Sequence, residues 1–555
     1  MIYKIRAGSI YKIPFPFTDL TQVKARPALA LTDGDTQGDA RFLFITTTPH
    51  EGHERAITID VADYDGPALP LNSYLRFDKT YLLHESLLIK HWARLTDAAM
   101  TRIYREIIAD EITKFDRFRH TPQYFKPGAV PPSGKVMDAE ELVNMVDACL
   151  DGWLTADRYN ATLENKLSNF IGCKYVRTVN SGSSANLVAL ASLTSPLLGE
   201  RALKPGDEVI TVAAGFPTTI NPILLYGLIP VFVDVTLPTY NIDATQIKAA
   251  ITPKTRAIML AHTMGNPFNL DAVMALVKEH NLWLIEDCCD ALGATYTGCL
   301  PPLQGEGGDG GRGEGEIPRH VGTFGHIGTL SFYPAHQITM GEGGAVFTND
   351  ATLVRAMESI RDWGRDCWCA PGSDATCKKR YSRKLGDLPE GYDHKYIYSH
   401  LGFNLKITDI QAACAVAQMD KLPGFVETRR QNFETLRNAL LPLEEFLILP
   451  EATPNSSPSW FGMLLTLRQE IPNASRPDLL RYLDSKNIGT RLLFAGNVTK
   501  QPYFAGRTYR TVGELPQTDL ILHHTFWVGL WPGLTSTHLD FIAQTLHDYF
   551  LKDAR

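Results

Sequence analysis

Four short apolar runs constrain the fold of this chain more than any other feature. Residues 208–212, 230–235, 257–261 and 282–286 are β-branched or apolar and five or six residues long, the length of buried strands rather than of helices. A helical pattern over 271–279 separates the last two. Asp138 stands where it can cap a helix carrying Leu142, Met145 and Val146 on one face, and 183–193 also reads as helix. Strands alternating with helices predict a mostly parallel sheet with helices on both faces. The expected large α/β domain covers residues 136–424, and a smaller α/β lobe covers 425–555.

At 555 residues the chain is too long for one typical domain. Residues 1–118 hold short β-like runs at 9–15, 27–31 and 42–47 and end in a helical pattern over 97–115, which predicts a small barrel with a terminal helix. Residues 119–135, carrying Pro122, Pro127, Gly128, Pro131, Pro132 and Gly134, read as a linker. A net charge of −7 points to no nucleic-acid or membrane surface at whole-chain level. No apolar run is long enough to cross a bilayer, and the N-terminus lacks the apolar core of a signal peptide, so a cytoplasmic location is expected. Nine cysteines are few for a disulfide scaffold of this size. Cys149, Cys173 and Cys414 read as buried small hydrophobes. Residues 305–315 are a glycine-rich loop with no apolar content, expected to be disordered.

The chemistry-bearing segments fall at the ends of the predicted strands. Ser331-Phe-Tyr-Pro-Ala-His336-Gln-Ile-Thr-Met-Gly-Glu-Gly-Gly344 reads as a strand ending in a glycine-rich turn, where pyridoxal-phosphate enzymes place their Schiff-base lysine. A histidine there cannot make a stable Schiff base. It can shuttle a proton, or it can be a buried histidine at a strand end. Asn180-Ser-Gly-Ser-Ser-Ala-Asn-Leu187 opens a helix after a β-like stretch, which makes either an anion site or an ordinary serine cap. Asp287 closes a buried strand, where its carboxylate either meets a pyridinium nitrogen or caps the following turn. Phe216 follows another strand and either stacks on a flat cofactor or belongs to the core. Cys367, Cys369 and Cys377 have C-x-C-x₇-C spacing, and a fourth thiolate from Cys288 or Cys289 would complete an iron–sulfur site. Zinc has the same ligand arithmetic, and spacing does not separate the two.

Residues 130–555 resemble the CDP-4-dehydro-6-deoxyglucose 3-dehydratase family within the DegT/DnrJ/EryC1/StrS sugar aminotransferase-like group. The resemblance rests on Pro131-Pro-Ser-Gly-Lys-Val, Ser181-Gly-Ser-Ser-Ala-Asn-Leu, Ala213-Ala-Gly-Phe-Pro-Thr-Thr, Glu286-Asp-Cys-Cys-Asp-Ala-Leu-Gly and Ser331-Phe-Tyr-Pro-Ala-His. It continues through Asp393-His-Lys-Tyr, Gly402-Phe-Asn-Leu-Lys-Ile-Thr-Asp and Gly489-Thr-Arg-Leu-Leu-Phe-Ala-Gly-Asn. It implies an aspartate-aminotransferase-like fold, the type I fold of pyridoxal-phosphate enzymes, and a homodimer. The implied cofactors are pyridoxamine 5′-phosphate or pyridoxal 5′-phosphate, held without a covalent link to lysine, and a 2Fe–2S cluster. Carried over by motif, His336 is the base, Asp287 pairs with the ring nitrogen and Phe216 stacks on the ring. Gly182, Ser183 and Ser331 hold the phosphate, and Asn404 reaches it from a partner subunit. Cys289, Cys367, Cys369 and Cys377 become the cluster ligands, and Arg491 a contact for the nucleotide sugar. Gln337 stands where relatives often carry a second histidine. The implied reaction removes the C3 hydroxyl of CDP-4-dehydro-6-deoxy-D-glucose on the way to a 3,6-dideoxyhexose of lipopolysaccharide O-antigen. Electrons would come from an NADH-dependent flavin/iron–sulfur reductase.

Gly8-Ser-Ile-Tyr-Lys-Ile-Pro-Phe-Pro-Phe-Thr-Asp-Leu and Lys24-Ala-Arg26-Pro-Ala-Leu-Ala-Leu resemble the MazF/PemK-type toxin family, a small SH3-like barrel. Ile45-Thr-Thr-Thr and Ala93-Arg-Leu-Thr-Asp fit the same pattern. In that family an arginine and a threonine serve RNA cleavage, and the matching positions are Arg26 and Thr46 or Thr47. Against that activity, residues 1–118 carry 15 Lys+Arg and 16 Asp+Glu, whereas RNA binding wants a basic footprint. Two rival readings stand beside the dehydratase: a plain nucleotide-sugar aminotransferase, opposed by His336 and the cysteine trio, and a toxin-like RNA-binding regulator with an inactive aminotransferase fold, opposed by the intact Asp287, Ser331 and His336 set.

Overall fold

The apolar runs of the C-terminal part form strands close to where the pattern predicts them, at Glu208–Val212, Ile229–Val233, Thr255–Ala261 and Trp283–Asp287. The computed structural model describes residues 4–16, 23–47, 56–117, 128–298, 318–367, 369, 376, 378–382, 384–469 and 475–551. The glycine-rich stretch at 305–315 and Cys377 lie outside them. The chain divides into two units, Met1–His120 and Thr121–Arg555.

The N-terminal unit is one six-stranded antiparallel sheet and a helix. In spatial order its strands are Ala56–Ile59, Ser73–His84, Asp39–Thr46, Val23–Ala30, Ser9–Pro16 and Lys90–Arg94. Successive side chains point to opposite faces. Ile10, Leu29, Leu43 and Leu75 therefore join one apolar cluster with Ile103 of the helix Asp97–Asp116, while Tyr11, Ile13, Ala28 and Phe42 join another. The helix starts at Thr96, whose hydroxyl accepts the Ala99 N–H at 3.1 Å. Register shifts near Ile10 and Leu43 bend the sheet into a β-rich half-barrel.

The second unit is built on an eight-stranded sheet. Its order is Arg510–Thr511, Ile229–Val233, Glu208–Val212, Thr255–Ala261, Trp283–Asp287, Ile327–Ser331, Gly344–Thr348 and Tyr175–Val179. The first six are parallel neighbours, and Gly344–Thr348 runs antiparallel to both of its neighbours. The core strands are buried residue after residue, because helices cover both faces. Asp138 caps the helix Ala139–Leu150 as expected: its carboxylate accepts the Glu140 N–H at 2.9 Å, and Glu141 accepts the Asp138 N–H at 2.8 Å. Cys173 and Cys414 are buried, but Cys149 is exposed. It follows Ala148, which lies on the packed stripe of that helix, and one residue turns the next side chain about 100° away. Among the described residues no helix is long and apolar enough to cross a membrane.

A smaller three-stranded sheet, Leu447–Ile448, Gly462–Leu467 and Thr525–Gly529, carries the helices Arg476–Ser485 and Ser536–Leu551 and its own core. The division expected at 424/425 falls inside one helix, Asp409–Leu440. Its Ala412, Cys414 and Leu422 pack into the large core, and its Phe433, Leu436 and Leu440 into the small one. The second half of the presumed linker also belongs here. Val130 is buried in the small core, its N–H donates to Asn487 O at 2.9 Å, and its carbonyl accepts the Gly489 N–H at 2.8 Å. The Trp531 indole donates to Pro131 O at 3.1 Å.

A chain beginning at Gly128 should therefore fold with the full stability of the C-terminal unit. One beginning at Gly134 should lose at least the roughly 1.5–3 kcal/mol of burying Val130. Urea unfolding of the two chains decides, and equal midpoints would show that residues 128–133 add nothing.

Candidate active site

Strand ends gather the candidate residues. Ligands of open parallel sheets bind beyond the carboxyl ends of the strands, and five of those ends line one cavity here, Ala261, His262 and Thr263 at the end of Thr255–Ala261 among them. Ser181, Gly182 and Ser183 follow Tyr175–Val179, and Gly215 and Phe216 follow Glu208–Val212. Asp287 ends Trp283–Asp287, and Ser331 ends Ile327–Ser331 with His336 just beyond it. The cavity has a volume of about 500 Å³, within the range of small-molecule sites. Cys289, Asp290, Arg491 and Trp527 also line it.

The helix Gly182–Ser192 points its N-terminus at this space. The Ser181 hydroxyl accepts the Ser184 N–H at 3.1 Å. The first N–H groups of a helix have no intrahelical acceptor, which makes this end an anion site. Gly182 is required by close packing: a Cβ there would lie 2.4 Å from Ser331 Cβ and 3.0 Å from Cys289 Sγ.

Asp287 is 4% exposed and its carboxylate is held from several elements. Oδ2 accepts from Asn186 Nδ2 and Thr219 Oγ1, each at 2.7 Å. Oδ1 accepts the Cys289 N–H at 3.1 Å and lies 3.4 Å from the Thr329 hydroxyl. Thr329 in turn donates to Asn186 Oδ1 at 2.7 Å, which fixes the Asn186 amide. The neighbouring Glu286 points the other way, as strand alternation requires. It accepts from His262 Nε2 at 3.0 Å and from the N–H groups of Gly322, Phe324 and Gly325. The same alternation sends Cys288 into the core and Cys289 into the cavity wall. Burial, with Asp287 and Asp290 alongside, pushes the Cys289 thiol well above its ordinary pKa.

His336 Nε2 lies 3.4 Å from Asp290 Oδ1, and its ring centroid is 5.3 Å from that of Phe461. Beneath it is Arg429, 1% exposed, on the helix Asp409–Leu440. Its guanidinium donates to the carbonyls of Phe461 at 3.0 Å, of Trp460 and His336 at 3.2 Å, and of Ala335 at 3.4 Å. Burial pushes its pKa down to about 10. Phe216 is 47% exposed and meets Phe494 edge-on at 5.3 Å. Phe494 holds a positive φ of 46°, a strained conformation for an aromatic residue and of the kind that clusters at functional sites.

Sequence reasoning missed Asn186, Thr219, Asp290 and Arg429. Asn186, Thr219 and Asp290 lie inside the motifs that carry the resemblance, and Arg429 carries no local signal. Asn404 does not line this cavity; it is exposed, and its Oδ1 accepts from Lys406 Nζ at 3.0 Å. Cys367 and Cys369 are half-buried and also lie outside the cavity wall. Among the described residues no three His, Cys, Asp or Glu side chains are arranged to hold a metal ion, so Cys289, Cys367 and Cys369 are not gathered as such a site, and Cys377 is not among the described residues. In the N-terminal unit, Arg26 stacks its guanidinium 4.9 Å from the Phe44 ring. Arg26 and Thr46 lie on neighbouring strands, paired at Ala28–Phe44, Leu29–Leu43 and Ala30–Phe42, and Thr47 follows the second strand.

Residues 136–547 match the family model described as the DegT/DnrJ/EryC1/StrS aminotransferase family. The lipopolysaccharide biosynthesis protein RfbH of Salmonella typhimurium is 57% identical over 448 residues, covering 80% of this chain and 98% of the relative. The dTDP-4-dehydro-2,6-dideoxy-D-glucose 3-dehydratase of Saccharopolyspora spinosa is 48% identical over 452 residues, covering 81% and 93%. Among solved structures, E. coli GDP-4-keto-6-deoxy-D-mannose-3-dehydratase with bound hydrated PLP matches with a TM-score of 0.64 at 25% identity. That match covers 75% of this chain and 99% of the other.

Hydrogen bonds to a buried carboxylate are worth more than neutral ones. Asn186→Ala should therefore lower the unfolding free energy by about 1.5–3 kcal/mol, whereas Arg491→Ala on the exposed rim should change it by no more than about 0.5 kcal/mol. Denaturant unfolding of the two variants checks this, and an Asn186→Ala chain of unchanged stability would show that Asp287 does not depend on its donors.

Proposed function

This chain belongs to the DegT/DnrJ/EryC1/StrS aminotransferase family, and we propose that it is a pyridoxamine-phosphate-dependent 3-dehydratase of a nucleotide-linked 4-keto-6-deoxy sugar. The substrate we propose is CDP-4-dehydro-6-deoxy-D-glucose, and the setting lipopolysaccharide biosynthesis. Similarity to RfbH and to 3-dehydratases of dTDP- and GDP-linked sugars supports the reaction class. One observation carries the choice between dehydratase and aminotransferase. His336 lines the cavity at the lysine position, and among the described residues lining it there is no lysine. An aminotransferase needs an amine there; a dehydratase needs a base that does not compete for the cofactor carbon.

The residues present fit the cofactor. The helix start at Gly182 and Ser183, with the Ser331 hydroxyl beside it, makes the phosphate cup, and the absence of a Cβ at Gly182 lets backbone approach it closely. Asp287, oriented by Asn186 and Thr219, holds the proton of the ring nitrogen. Phe216 offers a half-exposed ring for stacking. Pyridoxamine phosphate bound there would supply an amine for the sugar ketone and a ring that takes up electrons. His336 takes up and returns a proton on its imidazole, and Asp290 is placed to stabilise the imidazolium. Arg491, at the cavity rim, suits the diphosphate of the sugar nucleotide.

The chain would work as a homodimer, with Asn404 serving the partner's phosphate cup; its exposure outside its own cavity supports this. A 2Fe–2S cluster on Cys289, Cys367, Cys369 and Cys377, fed by an NADH-dependent flavin/iron–sulfur reductase, is proposed from the resemblance to the 3-dehydratase family, whose ligand positions these cysteines match. The described residues do not gather it. For residues 1–118 we propose an SH3-like barrel of MazF/PemK type. The six-stranded antiparallel sheet, in which the strands carrying Arg26 and Thr46 are neighbours, supports that fold, and the near-zero charge favours a structural role over RNA cleavage.

His336→Asn should slow dehydration by on the order of a hundred- to ten-thousand-fold while leaving the dissociation constant of pyridoxamine phosphate within about twofold. Single-turnover kinetics and cofactor titration test the two halves, and near wild-type turnover would remove His336 from the reaction. Cys367→Ser should empty the protein of iron without stopping the first dehydration half-reaction. Unchanged iron content would sink the cluster, and stoichiometric zinc would make it a structural site.

A further inference from the structure

Three buried polar atoms, unpartnered among the described residues, belong to residues that line one small cavity. His336 Nδ1, Gln337 Oε1 and Arg429 Nε are each buried and have no hydrogen-bond partner among the described residues. All three residues line a second, small cavity, with about 10 Å³ open to the centre of a water molecule. His336 lines both this cavity and the large one.

The remaining polar atoms of these side chains are engaged, which fixes what each turns to the small cavity. Gln337 Nε2 donates to Asp290 O and, at 3.0 Å, to Ser459 O, so Oε1 is the amide atom left over. Both terminal nitrogens of Arg429 bind carbonyls, which leaves the Nε–H. Buried donors and acceptors are almost always satisfied. A space of this size with two to four polar partners is what one ordered water requires.

We propose that one structural water occupies this cavity, accepts the Arg429 Nε–H and the His336 Nδ1–H, and donates to Gln337 Oε1. Its role in catalysis rests on the reading of His336 as the base, but the site itself does not. Holding the neutral imidazole with its proton on Nδ1 leaves Nε2 as a lone pair. Nε2 stands 3.4 Å from Asp290 Oδ1. When Nε2 takes a proton it gains Asp290 as partner, and the Nδ1–H stays on the water. Neither step disturbs the other two water contacts, and the proton leaves again by Nε2. Gln337 thus acts as a positioning residue through the water, which gives a function to a position where relatives often carry histidine.

A crystal structure of the unmodified full-length chain should show one water within hydrogen-bond distance of all three atoms, before and after loading with pyridoxamine phosphate. Nitrogen-15 spectra of the unloaded protein, with the His336 signal identified by its loss in His336→Asn, should show the Nδ1–H tautomer. Gln337→Met should lower kcat by on the order of ten- to a hundred-fold, with KM and the cofactor dissociation constant within about twofold. A dry cavity, the Nε2–H tautomer, or an unchanged kcat in a folded Gln337→Met enzyme would each overturn the proposal. If Gln337→Met does not fold, the crystal structure and the spectra of the unmodified chain decide. A water in place beside a fully active His336→Asn enzyme would remove the dehydratase reading and leave the water site standing.

Discussion

The cavity is organised around the carboxylate of Asp287. It accepts hydrogen bonds from Asn186 on one helix, Thr219 on a second and the Cys289 backbone after its own strand. A buried carboxylate is tolerable only when its lone pairs are taken up, so these donors cannot drift apart independently. The two helices that supply them are the ones that begin beside Gly182 and Phe216. Satisfying one charge therefore fixes where the anion-binding helix start and the stacking ring stand. Strand alternation completes the frame by turning Glu286 the opposite way, where it anchors the loop at 322–325.

His336 is held by a different logic. It sits on a turn rather than on a strand, and a turn needs external support to place a side chain with the accuracy that proton transfer demands. Arg429 supplies that support through four carbonyls from two segments. No ion pair with Arg429 occurs among the described residues, and burial pushes its pKa down. Retaining a buried guanidinium on carbonyl oxygens alone is an expensive way to fix a loop. It is most easily understood if the loop carries a group whose position matters.

Much of this was legible in the sequence for reasons that can be named. Strands such as Trp283–Asp287 are apolar on both faces because helices cover both, so they stood out as short continuous runs. The residues that line the cavity from strand ends were readable because chemistry-bearing types interrupt those runs at their ends. The supporting residues were not readable. Thr219 meets Asp287 across 68 positions and Arg429 meets His336 across 93, and nothing local marks either as a partner. The segment 128–135 looked like a linker because prolines and glycines dominate it. Yet its backbone pairs with Asn487 and Gly489 through Val130, a residue whose neighbours gave no strand signal. The division at 424/425 failed to appear as a break because the helix Asp409–Leu440 changes cores without changing its hydrogen bonding.

That shared helix has a consequence for the site. Arg429 lies between Val426, which packs in the large core, and Phe433, which packs in the small one. Its carbonyl partners are divided in the same way. Ala335 and His336 belong to the cavity loop, while Trp460 and Phe461 lead into the central strand Gly462–Leu467 of the small sheet. The guanidinium therefore bridges the two cores at the point where the imidazole is positioned. Because packed cores transmit displacement rather than absorb it, a shift of the small lobe must move His336 or break bonds to a buried cation. The small lobe, which supplies Arg491 and Trp527 to the cavity wall, is thus tied to the segment that carries the base through one buried guanidinium.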